Sequence, residues 1–200
     1  MSVLLTASLS AALPLSAASH VDVVKMRTEN RVNPLGIGTS TPRFSWQITS
    51  DRKGVVQTSY QILVASSREK LDRNEADLWD SGERNSDEQL WIPYQGKALL
   101  SGAQAYWKVR ITTNKGKSEW TEPQLFTIGL LGETKWSGTW IGLEDLQPGE
   151  QKGMHTRLAA RYIRKDFAAK GKVKRAVAYV AGLGVYEFYV NGQRMGGSQA

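Results

Sequence analysis

The sequence predicts an all-β protein: a β-sandwich over residues 20–131, followed by a second, incomplete β-segment over residues 132–200. Three observations carry this. Apolar residues recur with period two in Phe44, Trp46 and Ile48, in Tyr60, Ile62 and Val64, and in Ala105, Trp107, Val109 and Ile111, the pattern of half-buried strands. The intervals hold turn formers: Asn33-Pro34-Leu35-Gly36, Asp51-Arg52-Lys53-Gly54 and Asn114-Lys115-Gly116, each supplying a position that tolerates positive φ or a fixed turn. Roughly seven short strands within about 110 residues is the spacing of a β-sandwich.

Taken in order, residues 1–19 carry no charge, and Val3 to Leu15 is apolar with small residues mixed in. Such a stretch is too short to span a bilayer. Ser16-Ala17-Ala18 offers the small residues of a cleavage site, so 1–19 has the form of a secretory signal peptide, although its first residues lack the usual Lys or Arg. The expected location is periplasmic or extracellular. Strands follow at the alternating runs above and at Leu125 to Leu130. One short helix is predicted over 67–76, with Ser66 and Glu69 spaced as a capping box. Trp46, Trp107 and Trp120 fall at positions suited to a sandwich core.

A boundary is expected near Leu131. Trp140-Ile141-Gly142 begins something new, and 143–156, with Pro148, Gly149 and Gly153, reads as a loop. Strands are predicted at Arg161–Phe167, Ala176–Ala181 and Val185–Val190, and Asn191-Gly192 is a tight hairpin turn signal. The chain stops about eight residues past that turn. A sandwich needs two sheets covering each other, so an N-terminal fragment of a longer protein is expected.

Composition narrows the chemistry. There is no cysteine, which excludes disulfide staples, thiolate metal sites and a cysteine nucleophile. His20 and His155 are the two histidines, too few for a histidine metal cage. The formal charge is +7, and Arg157 to Arg175 holds eight basic residues against Asp166. A basic patch suits nucleic acid, an anionic membrane or an acidic polysaccharide. A strand edge guarded by lysines accounts for it without a ligand, and Tyr162 and Phe167 are the only interleaved aromatics. Nucleic acid is therefore not expected as a partner, nor is a membrane span.

No catalytic constellation emerges. Gly182-Leu183-Gly184 lacks the third glycine of a dinucleotide fingerprint, with Glu187 in its place, and a strand follows instead of a helix. Asp80, Glu83, Asp87 and Glu88, and likewise Glu144, Asp145 and Glu150, lie on polar loop segments, where solvated charge explains them better than a cleft of paired carboxylates. No metal or cofactor is implied, since the acidic spacing fits no calcium loop.

Several motifs in order resemble one family. Asn33-Pro34-Leu35-Gly36-Ile37, Thr41-Pro42-Arg43-Phe44-Ser45-Trp46, Gln57 to Ser66, Leu78-Trp79-Asp80-Ser81-Gly82, Tyr106-Trp107-Lys108-Val109-Arg110 and Ser118 to Pro123 resemble the opening of bacterial α-L-rhamnosidases. Trp140-Ile141-Gly142 and Tyr179 to Asn191-Gly192 are similar to the start of that family's next module. The resemblance implies a fibronectin III/immunoglobulin-like β-sandwich followed by an incomplete jelly-roll, of a kind that binds carbohydrate in some relatives. It also implies a parent enzyme that releases terminal α-L-rhamnose from plant glycosides or pectic polysaccharide through two carboxylic residues in a downstream (α/α) barrel. No catalytic residue lies in this chain, which alone is expected to be inactive. The implied partners are that barrel and, through the whole protein, rhamnose-containing glycans.

Two features depart from the pattern. A fibronectin-like corner tyrosine follows a leucine by six residues. From Leu99 that count lands on Ala105 and from Leu100 on Tyr106, while alternation puts Ala105 on the core face. In the second module the candidate carbohydrate contacts are Tyr186 and Asn191, but Val190 precedes Asn191 at a place suited to an acid in a sugar-binding or calcium-binding relative. A free-standing carbohydrate-binding or adhesion module stands as the alternative reading.

Overall fold

The computed structural model describes residues 21–132, 136–142, 146, 149–151, 153 and 159–196. The signal-like segment, and Glu144 and Asp145, lie outside them. The chain divides into two compact units, Met1–Gly138 and Thr139–Ala200.

The first unit is two antiparallel sheets face to face. One contains β1 (Val21–Thr28), β2 (Arg43–Ser50) and β6 (Ile92–Pro93), in the order β1-β2-β6. The other runs β4-β3-β7-β8, with β3 (Gln57–Ala65) and β7 (Gln104–Thr113) at its centre and β4 (Trp79–Asp80) and β8 (Gly116–Lys117) outside them. On this sheet β5 (Arg84–Asn85) also pairs with β3, and β9 (Gln124–Thr127) with β7. The predicted alternation sets the core. Phe44 and Trp46 of β2 meet Ile62, Val64, Trp107, Val109, Ile111 and Phe126 of the facing sheet, all essentially inaccessible. The Phe44 ring lies 4.4 Å from that of Trp107 and 5.8 Å edge-on from Phe126, the geometry aromatic quadrupoles favour.

Period two breaks once in β1. Val24 pairs with Gln47 but Arg27 with Ser45, so β1 carries an extra residue there. Lys25 adopts φ +49° at this bulge. Without it the alternation from Val23 would turn Lys25 and Arg27 inward. With it, Met26 and Thr28 are buried and the two cations are exposed, the one-residue change of face that a bulge produces.

The helix departs from expectation. α1 spans Arg68–Asp72, not 67–76, and its N-cap is Ser67, whose side chain accepts from the Lys70 amide. Ser66 is unavailable as a cap. Its amide and hydroxyl donate to Asp77 at 2.9 and 2.7 Å, tying the end of β3 to the segment after the helix. The helix stops where Asn74 takes φ +59° and its amide donates to the Leu71 carbonyl, asparagine filling the left-handed closing position more often taken by glycine.

This short helix covers the outer face of β3 and β7, where Leu63, Ala65 and Leu71 form a second small core. Trp120 belongs here and not in the sandwich interior where the alternation placed it: it is half-buried on the outer face, with the Arg110 guanidinium 4.4 Å from its ring. Lys108 is buried beneath the helix and donates to the Leu71 carbonyl and the Asn74 side chain, a cation at a helix C-terminus. Burial pushes its pKa down.

The corner count resolves against Tyr106. Leu99 and Ala105 face the core, Leu100 is exposed, and the Tyr106 hydroxyl accepts from the Gln104 side chain. The buried tyrosine that reaches backbone is Tyr94, donating to the Lys97 carbonyl at 2.7 Å. Burial pushes its pKa up to about 12.

In the second unit the described strands are β10 (Phe188–Val190) and β11 (Gln193–Met195), paired around Asn191-Gly192. Both turn residues have positive φ, +49° and +78°, as the hairpin signal requires. Arg161–Phe167 and Ala176–Ala181, expected as strands, make no ladder among the described residues. Alternation supplies a strand's side chains, but a strand forms only against a partner.

Candidate functional site

The residues singled out from sequence lie in the second unit. The Tyr186 hydroxyl donates to the Val180 carbonyl at 3.3 Å and its ring packs against Gly182. Asn191 is exposed at the first position of the β10–β11 turn. From Ala159 on, the basic run is irregular chain, exposed except at the partly buried Arg161, with Tyr162 and Phe167 open to solvent. Arg164 pairs there with Asp166, and Arg161 with Glu150.

Two of the acidic residues, Glu83 and Asp80, resolve into sheet-edge hydrogen bonds. Glu83 accepts from Ser59 and Thr112 at 2.8 and 3.1 Å; these bonds hold its pKa low. Asp80 accepts from Gln61 and from the Gly82 amide. No group of three or more metal-ligating side chains occurs among the described residues, and no described helix is long and apolar enough to cross a membrane.

Open clefts lie on the first unit. One, of about 450 Å³, is bordered by Gln47, Ile48, Val55, Gln57 and Asp87. The other, of about 390 Å³, is bordered by Glu29, Arg31, Pro34, Leu35, Ile37 and Thr39. Its walls are fixed by hydrogen bonds to β9: Asn33 accepts from the Leu125 amide, and the Gly36 and Ile37 amides donate to Thr127.

Beside this second cleft sits a cluster the sequence did not flag. Glu29 accepts from Arg43 through both carboxylate oxygens, at 3.1 Å from Nε and 2.8 Å from Nη2, and one of these oxygens also takes the Arg43 amide. The Arg43 hydrogen bonds hold the Glu29 pKa down against partial burial. The Arg43 guanidinium in turn lies 4.2 Å from the ring centre of Trp91, which is 42% exposed. Trp91 has φ +60°, where a bulky side chain stores about 1–3 kcal/mol of strain. Its amide donates to the buried Ser45 hydroxyl, and the neighbouring Gln89 carbonyl accepts from the Trp46 amide, so the β2 edge holds the strained residue in place. Glu29, Asn30, Asn33 and Gly36 also have positive φ, and with Trp91 this end of the sandwich gathers four of the six non-glycine left-handed residues described in the first unit. Nothing in the linear pattern near Leu90-Trp91 marks the strain; a positive φ at tryptophan is visible only in the folded backbone.

Comparisons with known proteins complete the picture. Residues 23–132 match the family described as Rha78A-like, N-terminal immunoglobulin domain, and residues 171–199 match the family described as alpha-L-rhamnosidase N-terminal domain. An alpha-L-rhamnosidase of Formosa agariphila is 35% identical over 193 residues, covering 89% of this chain and 20% of the relative. The crystal structure of the Streptomyces avermitilis alpha-L-rhamnosidase complexed with L-rhamnose superposes with a TM-score of 0.58 at 36% identity, over 62% of this chain and 12% of that one. The alpha-L-rhamnosidase structure from Dictyoglumus thermophilum gives the same TM-score at 34% identity, over 62% and 14%. The chain spans about a fifth of the length of the curated relatives it matches.

Proposed function

The chain belongs to the Rha78A-like N-terminal immunoglobulin domain family, and from that premise we propose that it is the N-terminal, non-catalytic part of an exported α-L-rhamnosidase. The observation that carries this is order: the two family matches follow one another along the chain, and one relative aligns across 89% of it. The parent enzyme releases terminal α-L-rhamnose from glycosides, with its carboxylic acid pair in a region beyond these residues. The first unit works as a rigid spacer, since one continuous aromatic and aliphatic core joins its two sheets and resists bending between the modules it connects. The second unit contributes Tyr186 and Asn191 to carbohydrate contact, on a jelly-roll whose first hairpin is β10–β11. Residues 1–19 direct export.

The test is activity. Residues 1–200 should give no turnover of an aryl α-L-rhamnoside above the buffer rate, and the product of the gene's full open frame should give turnover. Hydrolysis by the 200-residue chain that survives repurification, or an inactive full-length product, would sink the reading.

A further inference from the structure

We propose that Trp91, Arg43 and Glu29, with the adjoining cleft, form a binding site for a neutral glycan on the immunoglobulin-like unit itself, distinct from any contact made by the second unit. The parts match that ligand. A pyranose offers a face of C–H groups and an edge of vicinal hydroxyls. Trp91 supplies an accessible aromatic surface whose position is set by the β2 edge. Arg43 spends Nε and one Nη2 hydrogen on Glu29, and its other guanidinium N–H groups have no protein partner among the described residues, which leaves planar donors beside the ring for hydroxyl oxygens. Glu29 neutralises Arg43, so the pair beside Trp91 carries no net charge and addresses a sugar through its hydroxyls and not through a charge, while Arg31 lines the adjoining cleft. The cleft is an open groove and shares Glu29 with the ion pair.

Strain is the second, independent argument. A fold needing only to lead into β6 would place glycine or asparagine at a φ of +60°. Tryptophan there, exposed and stacked by Arg43, is costly for stability and persists at sites where a side chain must be presented. This inference goes beyond the rhamnosidase reading and does not rest on it, since the chemistry named is that of a neutral pyranoside whatever the parent enzyme cleaves.

The experiment follows the indole N–H signals of the full ¹⁵N-labelled chain by NMR, with Trp91 assigned from the signal lost in Trp91→Gly. The probes are methyl α-L-rhamnopyranoside and cellobiose. The expected result is a saturable shift of the Trp91 signal with at least one sugar. Arg43→Lys should weaken binding roughly tenfold or more, the loss of a planar charge-assisted hydrogen bond. Trp91→Gly, in which binding is read by calorimetric titration with the same sugars, should show none while its thermal midpoint is unchanged or raised, because glycine adopts the backbone conformation without strain. Absence of any saturable shift well above millimolar sugar, or binding that persists in Trp91→Gly, overturns the proposal. So does a marked fall in the midpoint of Trp91→Gly, which would make Trp91 a packing anchor. Cleavage of an aryl α-L-rhamnoside by the full-length product with a silent Trp91 would refute this site and leave the enzyme reading standing.

Discussion

Phe44, Trp107, Val109 and Ile111 in the first unit are 0% exposed, whereas Tyr162, Phe167, Leu183 and Val185 in the second, from runs just as apolar, are 81% exposed or more. The difference lies in what faces them. In the first unit the inward faces of β2 and β3–β7 cover each other, so alternation becomes burial. In the second, the described ladder is one three-residue hairpin, β10–β11, and the apolar side chains of 161–187 have no facing sheet among the described residues. Period two therefore specifies which side chains could share a face; burial requires a second face.

The sharpest way to break this comparison is protease. Local opening ranges from nearly free in unpaired segments to the full unfolding free energy in a core. Trypsin should first cut after the exposed cations from Arg164 to Arg175, while residues 21–131 persist as a resistant fragment. Size-exclusion should show that fragment as a monomer and the 20–200 chain as more prone to associate, since an uncovered apolar face beside unpaired backbone is a template for aggregation. Equal resistance and cooperative unfolding of both units would show that the second is a complete domain.

Next in size is Trp107→Ala. Removing a buried tryptophan costs about 3–5 kcal/mol, against ~5–15 kcal/mol for a whole domain, so the first unit should lose most of its urea stability. The indole N–H of Trp107 has no hydrogen-bond partner among the described residues, and an unsatisfied buried donor itself costs about 1–3 kcal/mol. Trp107→Phe should therefore be much milder than the alanine variant. No change in midpoint for Trp107→Ala would contradict its place in the core.

Much of the first unit was legible. The alternating runs located β2, β3 and β7 and named Trp46 and Trp107 as core, because a sheet with one covered face writes itself as period two. The β1 bulge escaped, since one extra residue at Lys25 leaves the sequence pattern looking continuous. Ser66 read as a cap because the pairing of its amide and hydroxyl with Asp77, eleven residues on, is a tertiary fact. Trp120 read as core because an aromatic stacked under arginine on an outer face and one inside look alike in one dimension. The Glu29–Arg43–Trp91 cluster joins three segments distant in the chain, and its strain has no signature in residue type.

Glycines allow a finer comparison. A Cβ at Gly96 would lie 2.4 Å from the Leu78 carbonyl oxygen and 2.4 Å from Trp79 Cβ, and close to the Tyr94 hydroxyl. A Cβ at Gly182 would also lie 2.4 Å from its nearest atom, but that atom is on the half-exposed Tyr186 ring. Backbone in a packed sheet cannot give way; an exposed ring can turn. Gly96→Ala should destabilise by about 1–3 kcal/mol and break the Tyr94–Lys97 hydrogen bond. Gly182→Ala should leave the first unit's midpoint unmoved. Equal effects would erase the distinction drawn between the two regions.

The smallest expected effect concerns acid. Burial pushes the Asp77 carboxyl up, but hydrogen bonds from Lys70 and from the Ser66 amide and hydroxyl outweigh it and hold the pKa at about 2, against 3.8 for the ordinary group. The lowered value means the folded state favours the ionised form. This contribution is fully present above pH 3.8 and is lost as pH falls through about 2. The pair is a third exposed, so solvent screening limits it to about 1 kcal/mol or less. Urea midpoints of the wild type and Asp77→Asn should therefore differ at neutral pH and converge as pH falls from about 4 towards about 2. A difference between wild type and Asp77→Asn that stays constant across the acid range would mean that Asp77 acts through shape at the end of β3 and not through its charge.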